Sequence, residues 1–181
     1  MKTNPAQAPQ VPPAMAMYLQ GVPPEGRQFD FLIGDWDVAA TRYKQDGSVL
    51  LEYKASWSAR HLNDGRMVMD DFKAYAPTGQ EISSYITLRT YSPATRRWEM
   101  AGLAALQPAA NARWNGEWKD GEMQLEAAGL DPEGKAVRTR IRFFNIARDS
   151  FSWESLASDD GGKTWVRSAS LLAARGEQAS R

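Results

Sequence analysis

The sequence predicts an all-β protein: an antiparallel meander of about ten strands closed into a barrel, preceded by a proline-rich N-terminal arm. Three observations carry this expectation. From Trp36 onward, ten runs show the period of two expected of strands with one buried and one wet face. Turn chemistry separates them: Asp46-Gly47, Asn63-Asp64-Gly65, Pro93-Ala94-Thr95, Asp120-Gly121, Asp131-Pro132-Glu133-Gly134 and Asp159-Asp160-Gly161-Gly162. A meander of this length closes on itself so that no edge is left exposed. Ten strands exceed the roughly eight that side chains alone fill, so an internal cavity is expected.

Composition bounds the function. A chain of 181 residues fits one domain with ample length for a core. Lys+Arg and Asp+Glu both count 22, and this zero formal charge argues against nucleic-acid binding through phosphate attraction and against a basic membrane-surface protein. The absence of Cys excludes disulfides and thiolate metal sites. His61 is the only histidine, which excludes a multi-histidine metal site and leaves a serine triad possible only with His61 as base. There is no Gly-rich phosphate loop and no G-x-S-x-G elbow, and no metal or cofactor is expected. No apolar run approaches the roughly 20 residues that span a bilayer. Lys2 is followed by Thr3, Asn4 and Pro5 rather than an apolar leader. The expectation is a cytoplasmic protein, or a secreted or periplasmic one if the chain starts after a removed signal.

Residues 1–26 form the arm, which carries Pro5, Pro9, Pro12, Pro13, Pro23 and Pro24. Its apolar patch, Met15, Met17 and Tyr18, can make a short helix or lie over a groove. A flexible leader, a lid and a dimer-exchanged arm all fit this composition. The barrel is expected over 27–175, with a disordered tail at 176–181. It opens with FDFLIGDWDV, Phe29 to Val38: an apolar turn, then Gly34 where the backbone turns sharply or packs closely. Trp36 follows, large enough to plug one end of a closed sheet. The strands are expected near 36–43, 49–62, 66–76, 82–91, 97–105, 112–119, 122–128, 136–146, 150–158 and 164–174.

Charge in the last third indicates which faces point out. Glu122, Gln124 and Glu126 alternate with Met123, Leu125 and Ala127, and Arg138, Arg140 and Arg142 alternate with Val137, Thr139, Ile141 and Phe143. Folding about Asp131–Gly134 sets Glu126 opposite Arg138 and Glu122 opposite Arg142, an outer ladder contributing about 0.2–1 kcal/mol per pair. Read alone, the three arginines resemble an anion site. With carboxylates in register they form a solvated face. The same parity puts Glu154 outside, facing Arg142, and turns Phe151, Trp153, Ser155 and Ala157 inward. Carried to the last strand, it points Trp165, Arg167, Ala169 and Leu171 inward. An inward Arg167 needs a partner, either Trp36 under its guanidinium or an anionic ligand.

Candidate chemistry lies mainly on strands 49–62 and 66–76. Tyr53, Ala55, Trp57, Ala59 and His61 share the inner face of the first, and His61 precedes the Asn63–Gly65 turn at a barrel rim. There it can bind a ligand, act as general base, or be a satisfied structural residue. One of Asp70 and Asp71 must point inward. Paired with His61, it would be the best acid–base couple in the chain, and Asp71 is taken as the candidate. Ala101, Gly102, Ala104 and Ala105 are small where bulk is usual, leaving volume beside Trp98, Trp114 and Trp118. Alternatively a large neighbour or the arm fills that gap. Trp36, Tyr53, Trp57, Trp98, Trp114 and Trp153 are the candidate ligand wall, with Arg167 or His61 at its polar end. Asp159–Gly162 lacks the spaced acidic ligands and closing Glu of a calcium loop and is read as a hairpin turn.

FDFLIGDWDV at 29–38, SYITLRTYSPATRRW at 84–98 and DSFSWESLASDDGGKTW at 149–165, in this order and spacing, resemble a bacterial family of lipocalin-like barrels classed as a domain of unknown function. The resemblance covers about residues 27–175. It implies a calycin-type barrel, of the lipocalin or fatty-acid-binding-protein kind, with a possible internal cavity, but no general activity. Related barrels bind fatty acids, retinoids or haem, and a few act as cyclases or isomerases. The haem-binding relatives use an axial histidine, for which His61 is the only residue of that type here. The strand after TRRW carries Ala101, Gly102 and Ala104 where relatives tend to carry aromatics, which implies an enlarged pocket.

Three functions follow as expectations. The first is binding of a small, largely apolar molecule in an aromatic-lined barrel. The second is a cofactor-independent enzyme, of cyclase or isomerase type, using His61 and Asp71. The third is a structural domain that forms a homodimer through its arm.

Overall fold

A computed structural model describes residues 11–106, 112–130 and 134–176. The expectations for residues 1–10 and 177–181, and for residues 131–133 of the Asp131–Gly134 turn, lie outside this range. A short helix α1 (Pro13–Leu19) and 3-10 turns at Pro24–Arg27 and Asp30–Leu32 precede ten strands. These are β1 (Gly34–Tyr43), β2 (Val49–Leu62), β3 (Met67–Tyr75), β4 (Glu81–Ser92), β5 (Arg97–Ala104), β6 (Ala112–Lys119), β7 (Glu122–Leu130), β8 (Ala136–Phe144), β9 (Ser150–Ser158) and β10 (Val166–Arg175). Each strand pairs antiparallel with its sequence neighbours, and β1 pairs with β10 to close the barrel. The all-β meander read from the periodicity is the observed fold.

Packing of the N-terminal turns closes one end. Phe29 and Leu32 are fully buried there. The Phe29 ring meets Trp98 edge-on at 4.8 Å and Phe143 at 5.6 Å, and Phe31 meets Phe151 at 5.6 Å. Trp36 donates its indole N–H to Leu32 O at 2.7 Å, so it is the plug expected of it. Gly34 has φ +115°, and any Cβ there would strike the guanidinium of Arg175. That guanidinium stacks 3.8 Å above the Trp36 ring and donates to Ile33 O at 2.6 Å.

The outer face of β7–β10 carries the charge ladder, with its register shifted by two residues from expectation. Glu126 stands opposite Arg140 and accepts from both Arg138 and Arg140 at 2.8 Å. Glu122 reaches Arg142 diagonally at 3.1 Å. Glu154 pairs with Arg142 as expected, at 2.8 Å. A slip of two keeps every side chain on its face, which is why the parity holds although the register differs.

The start of β10 departs from the expected parity. Thr164 and Trp165 belong to the preceding loop: Asp160 accepts from Thr164 N–H at 3.0 Å, and the Trp165 indole donates to Gly162 O at 3.0 Å. Asp160 also accepts from Ser158 and Lys163. These bonds, chiefly that from the Thr164 hydroxyl, hold its carboxyl far below the ordinary range. The register then shifts between Arg167 and Ala169, a bulge at Ser168. Arg167 therefore faces outward and meets Glu154 at 3.0 Å, while Trp165 lies under Arg140, 4.0 Å from the guanidinium carbon.

Helix α1 buries none of its residues. Its Tyr18 ring lies under the Arg66 guanidinium at 4.4 Å. At the other terminus Gly176, expected in the tail, still donates to Asp35 O at 3.1 Å.

Candidate functional site

The plug makes the two ends of the barrel unequal. Below it lie the aromatic contacts of Phe29, Trp36, Trp98, Phe143 and Phe151, each at most 2% exposed. Toward the far end, side chains whose register points them inward are only half-buried: Tyr53, Phe72, Tyr85, Trp114, Thr139, Trp153 and Leu171. A residue facing the axis of a closed barrel reaches solvent through the lumen. Inward His61, Tyr91 and Trp118 at the plugged end are half-buried as well, so the mouth is assigned by the plug: buried Phe29 and Leu32 close one end and leave the other, where Leu51 is 46% exposed, as the entry.

Between mouth and plug lies a polar cluster built by β3 to β6. Asp70 and Arg89 point inward, 1% and 2% exposed, and form an ion pair. The pairing is set by register: Asp70 stands opposite Ala59 on one side and Thr87 on the other, and Arg89 opposite Val68 and Met100. The Arg89 guanidinium also lies 5.0 Å from the centre of the Phe29 ring, so it caps the plug from above. Tyr85 reaches across to β5, where its hydroxyl occupies the space a side chain at Gly102 would need. Burial, with the negative charge of Asp70 adding to it, pushes the Tyr85 phenol up to about 12. Burial likewise raises the Tyr53 phenol, against the opposing charge of Arg42. Trp114 pairs with Met100, which itself stands opposite Arg89, so Trp114 lies two strands from Arg89. The Tyr85 hydroxyl, the Trp114 and Trp57 indole N–H groups and the Arg89 Nε are buried without a hydrogen-bond partner.

The residues singled out from sequence divide between the two ends. Tyr53, Trp57, Trp114 and Trp153 face the lumen. Trp36 and Trp98 sit in the plug instead, with Trp98 donating to Gln28 Oε1 at 3.0 Å. His61 faces inward as expected, but at the plugged end: its Nε2 lies 3.2 Å from Asp30 Oδ1. Asp71 points outward, opposite Ser58, and meets Lys73 at 3.6 Å. His61 and Asp71 are thus on different faces and make no acid–base couple. Arg167 is outside, and the arginine stacked on Trp36 is Arg175.

Sequence reasoning missed Arg89 and Tyr85. The outward residues of β4 include Ile86 and Leu88, 44% and 38% exposed, so the usual rule of apolar-in misassigns the strand. The Pro93 hairpin held the missing signal. It sets Tyr91 opposite Trp98 and, by the same register, Arg89 opposite Met100.

Two grooves lie on the outer surface. One of about 310 Å³ crosses β1 to β3 beside Asp35, Asp37, Ser56 and Asp71. Another of about 600 Å³ lies over β4 and β5 beside Lys73, Ile86 and Leu103. Neither is lined by the Asp70–Arg89 pair. Among the described residues no group of three or more His, Asp or Glu could hold a metal ion. No helix among them is long and apolar enough to cross a membrane.

The fold and lumen define a closed antiparallel ten-strand barrel with one plugged end. No family model and no curated protein matches the chain. Among solved structures, it is similar to Rv2717c from M. tuberculosis, with a TM-score of 0.60 and 16% identity over 86% of this chain and 99% of that one. It is also similar to an S-type phycobiliprotein lyase from Guillardia theta, with a TM-score of 0.55 and 14% identity over 84% of this chain and 96% of that one. At these identities the likeness is one of fold.

Proposed function

We propose that the protein binds a small, largely apolar molecule that enters the barrel at the end opposite the plug, and that it belongs with the lipocalin-like barrels its motifs resemble. The carrying observation is the inward aromatic wall of Tyr53, Phe72, Trp114 and Trp153, half-buried above a plug whose Phe29, Trp36, Trp98, Phe143 and Phe151 are at most 2% exposed. Aromatic walls with a few convergent polar groups are what a small-molecule site requires. The phycobiliprotein lyase does not lend its chemistry to this chain, because activity resides in site side chains rather than in the fold. The enzyme alternative loses its His61–Asp71 couple to the geometry above.

Native mass spectrometry of protein from its own host, with extraction of the denatured sample, tests the reading. A reproducible apolar passenger is expected. A protein that is apo from its host and takes up no apolar probe in solution overturns it.

A second reading, homodimerisation through the arm, is supported by the exposure of Met15, Tyr18 and Leu19 on α1, at 54%, 59% and 70%. Sedimentation of the full chain against a chain lacking residues 1–20 distinguishes a dimer formed by the arm from a monomer.

A further inference from the structure

Resting on the reading of the lumen as a binding site, we infer that its ligand is an uncharged aromatic molecule bearing a carbonyl-type oxygen, held by Tyr85 and Trp114 rather than by the charge of Arg89.

The argument starts from the direction of the unmet hydrogen-bonding groups. Tyr85 Oη, Trp114 Nε1 and Trp57 Nε1 lack a hydrogen-bond partner, as does the Nε of Arg89, and the indole and guanidinium groups can only donate. Each buried donor left unmet costs about 1–3 kcal/mol, and such groups in native structures call for a reason. Trp57 on β2, Tyr85 and Arg89 on β4 and Trp114 on β6, all at inward register positions, describe a surface that recognises acceptors. Trp57 is itself 6% exposed and Arg89 2%, so bulk solvent does not serve them.

Charge then decides which acceptor. Arg89 would favour a carboxylate if it were free, but its guanidinium is committed to Asp70. The pair leaves the floor of the lumen with no net charge. A ligand carboxylate near Tyr85 would also meet the field of Asp70, which opposes a negative charge at the Tyr85 oxygen more than Arg89 favours one. A neutral carbonyl oxygen accepts the same hydrogen bonds without that repulsion. The body of the ligand is set by the walls: Phe72, Trp114 and Trp153 offer ring faces and edges to a flat aromatic system.

Three probes with one carbon skeleton separate the possibilities: 2-acetylnaphthalene, 2-ethylnaphthalene and 2-naphthoate, each measured by equilibrium dialysis against the full chain and Tyr85→Phe. The substitution removes one hydroxyl and keeps the ring. The ketone is expected to lose about 3- to 10-fold in affinity in the variant, as for loss of one hydrogen bond. The ethyl compound should change less than about twofold, and naphthoate should bind the unmodified protein more weakly than the ketone. Equal changes for ketone and hydrocarbon, or no change in either, overturn the assignment of the donors while leaving the lumen as a site. Tighter binding of naphthoate than of the ketone overturns the neutral-ligand assignment in favour of anion recognition by Arg89. Failure of all three to bind removes the lumen reading itself. Thermal unfolding of Tyr85→Phe, expected to match the unmodified protein, separates a binding loss from a folding loss.

Discussion

Arg175, near the end of the last strand, lies flat on Trp36, near the start of the first, with its guanidinium carbon 3.8 Å from the ring centroid. It also donates to Ile33 O at 2.6 Å and Phe31 O at 3.4 Å, tying the plug to the seam that closes the barrel. Gly34 makes this possible by leaving no Cβ in the way.

Arg175→Ala should therefore destabilise the fold by about 2–4 kcal/mol, combining a lost cation–π contact with charge-assisted hydrogen bonds. Arg175→Lys should recover little, because an ammonium neither lies flat nor reaches two carbonyls. Urea denaturation measures both. A loss below about 0.5 kcal/mol for the alanine variant would show that the clamp adds nothing beyond what the sheet supplies.

Breaking the interior pair should cost more than its net worth. Asp70→Leu or Arg89→Met leaves one charge buried and unpaired, with an expected loss of about 3–5 kcal/mol. The double variant Asp70→Leu/Arg89→Met should recover most of this, since it removes both desolvation penalties. Additive losses in a double-mutant cycle would mean that the two side chains act independently.

The outer ladder predicts a pH dependence. Hydrogen bonding to Arg140, then its charge and that of Arg138, lowers the Glu126 carboxyl below its ordinary value of 4.5. A lowered folded-state value means that the contribution is full above the ordinary value and disappears as pH falls through the lowered one. Glu126→Gln should thus reduce stability near neutral pH by less than about 1 kcal/mol, because the pair is partly solvated. The difference should vanish in strong acid and shrink with salt. A gap that persists unchanged at acid pH would assign the effect to packing instead.

His61→Ala should leave the affinity for 2-acetylnaphthalene within about twofold, because His61 belongs to the plugged end and faces Asp30. The effect should instead appear in stability, read by thermal unfolding. A tenfold loss of affinity without a loss of stability would place the histidine in contact with the ligand.

The ten strands, their boundaries to within a few residues and the outward charge ladder were legible because each rests on local information. Period-two alternation and turn residues act within a dozen positions, and parity is insensitive to a slip of two, as Glu126 and Arg140 illustrate. Trp36 as a plug was legible for a related reason: a large indole after a glycine has few places to go.

What only the tertiary structure decided is which long-range partners meet. A single bulge at Ser168 turned Arg167 outward and left Arg175 to cover Trp36, and no local pattern announces a bulge between polar and small residues. The choice between Asp70 and Asp71 depended on the register across the four-residue connection 63–66, in which Asn63, Asp64 and Gly65 all have positive φ. The partner of Asp70 came from another strand altogether, where Ile86 and Leu88 face outward and Arg89 faces in. Alternation determines that a face exists. Closure of the sheet and its packing on the plug determine which face is the interior, because burial is a property of the whole barrel and not of any one strand.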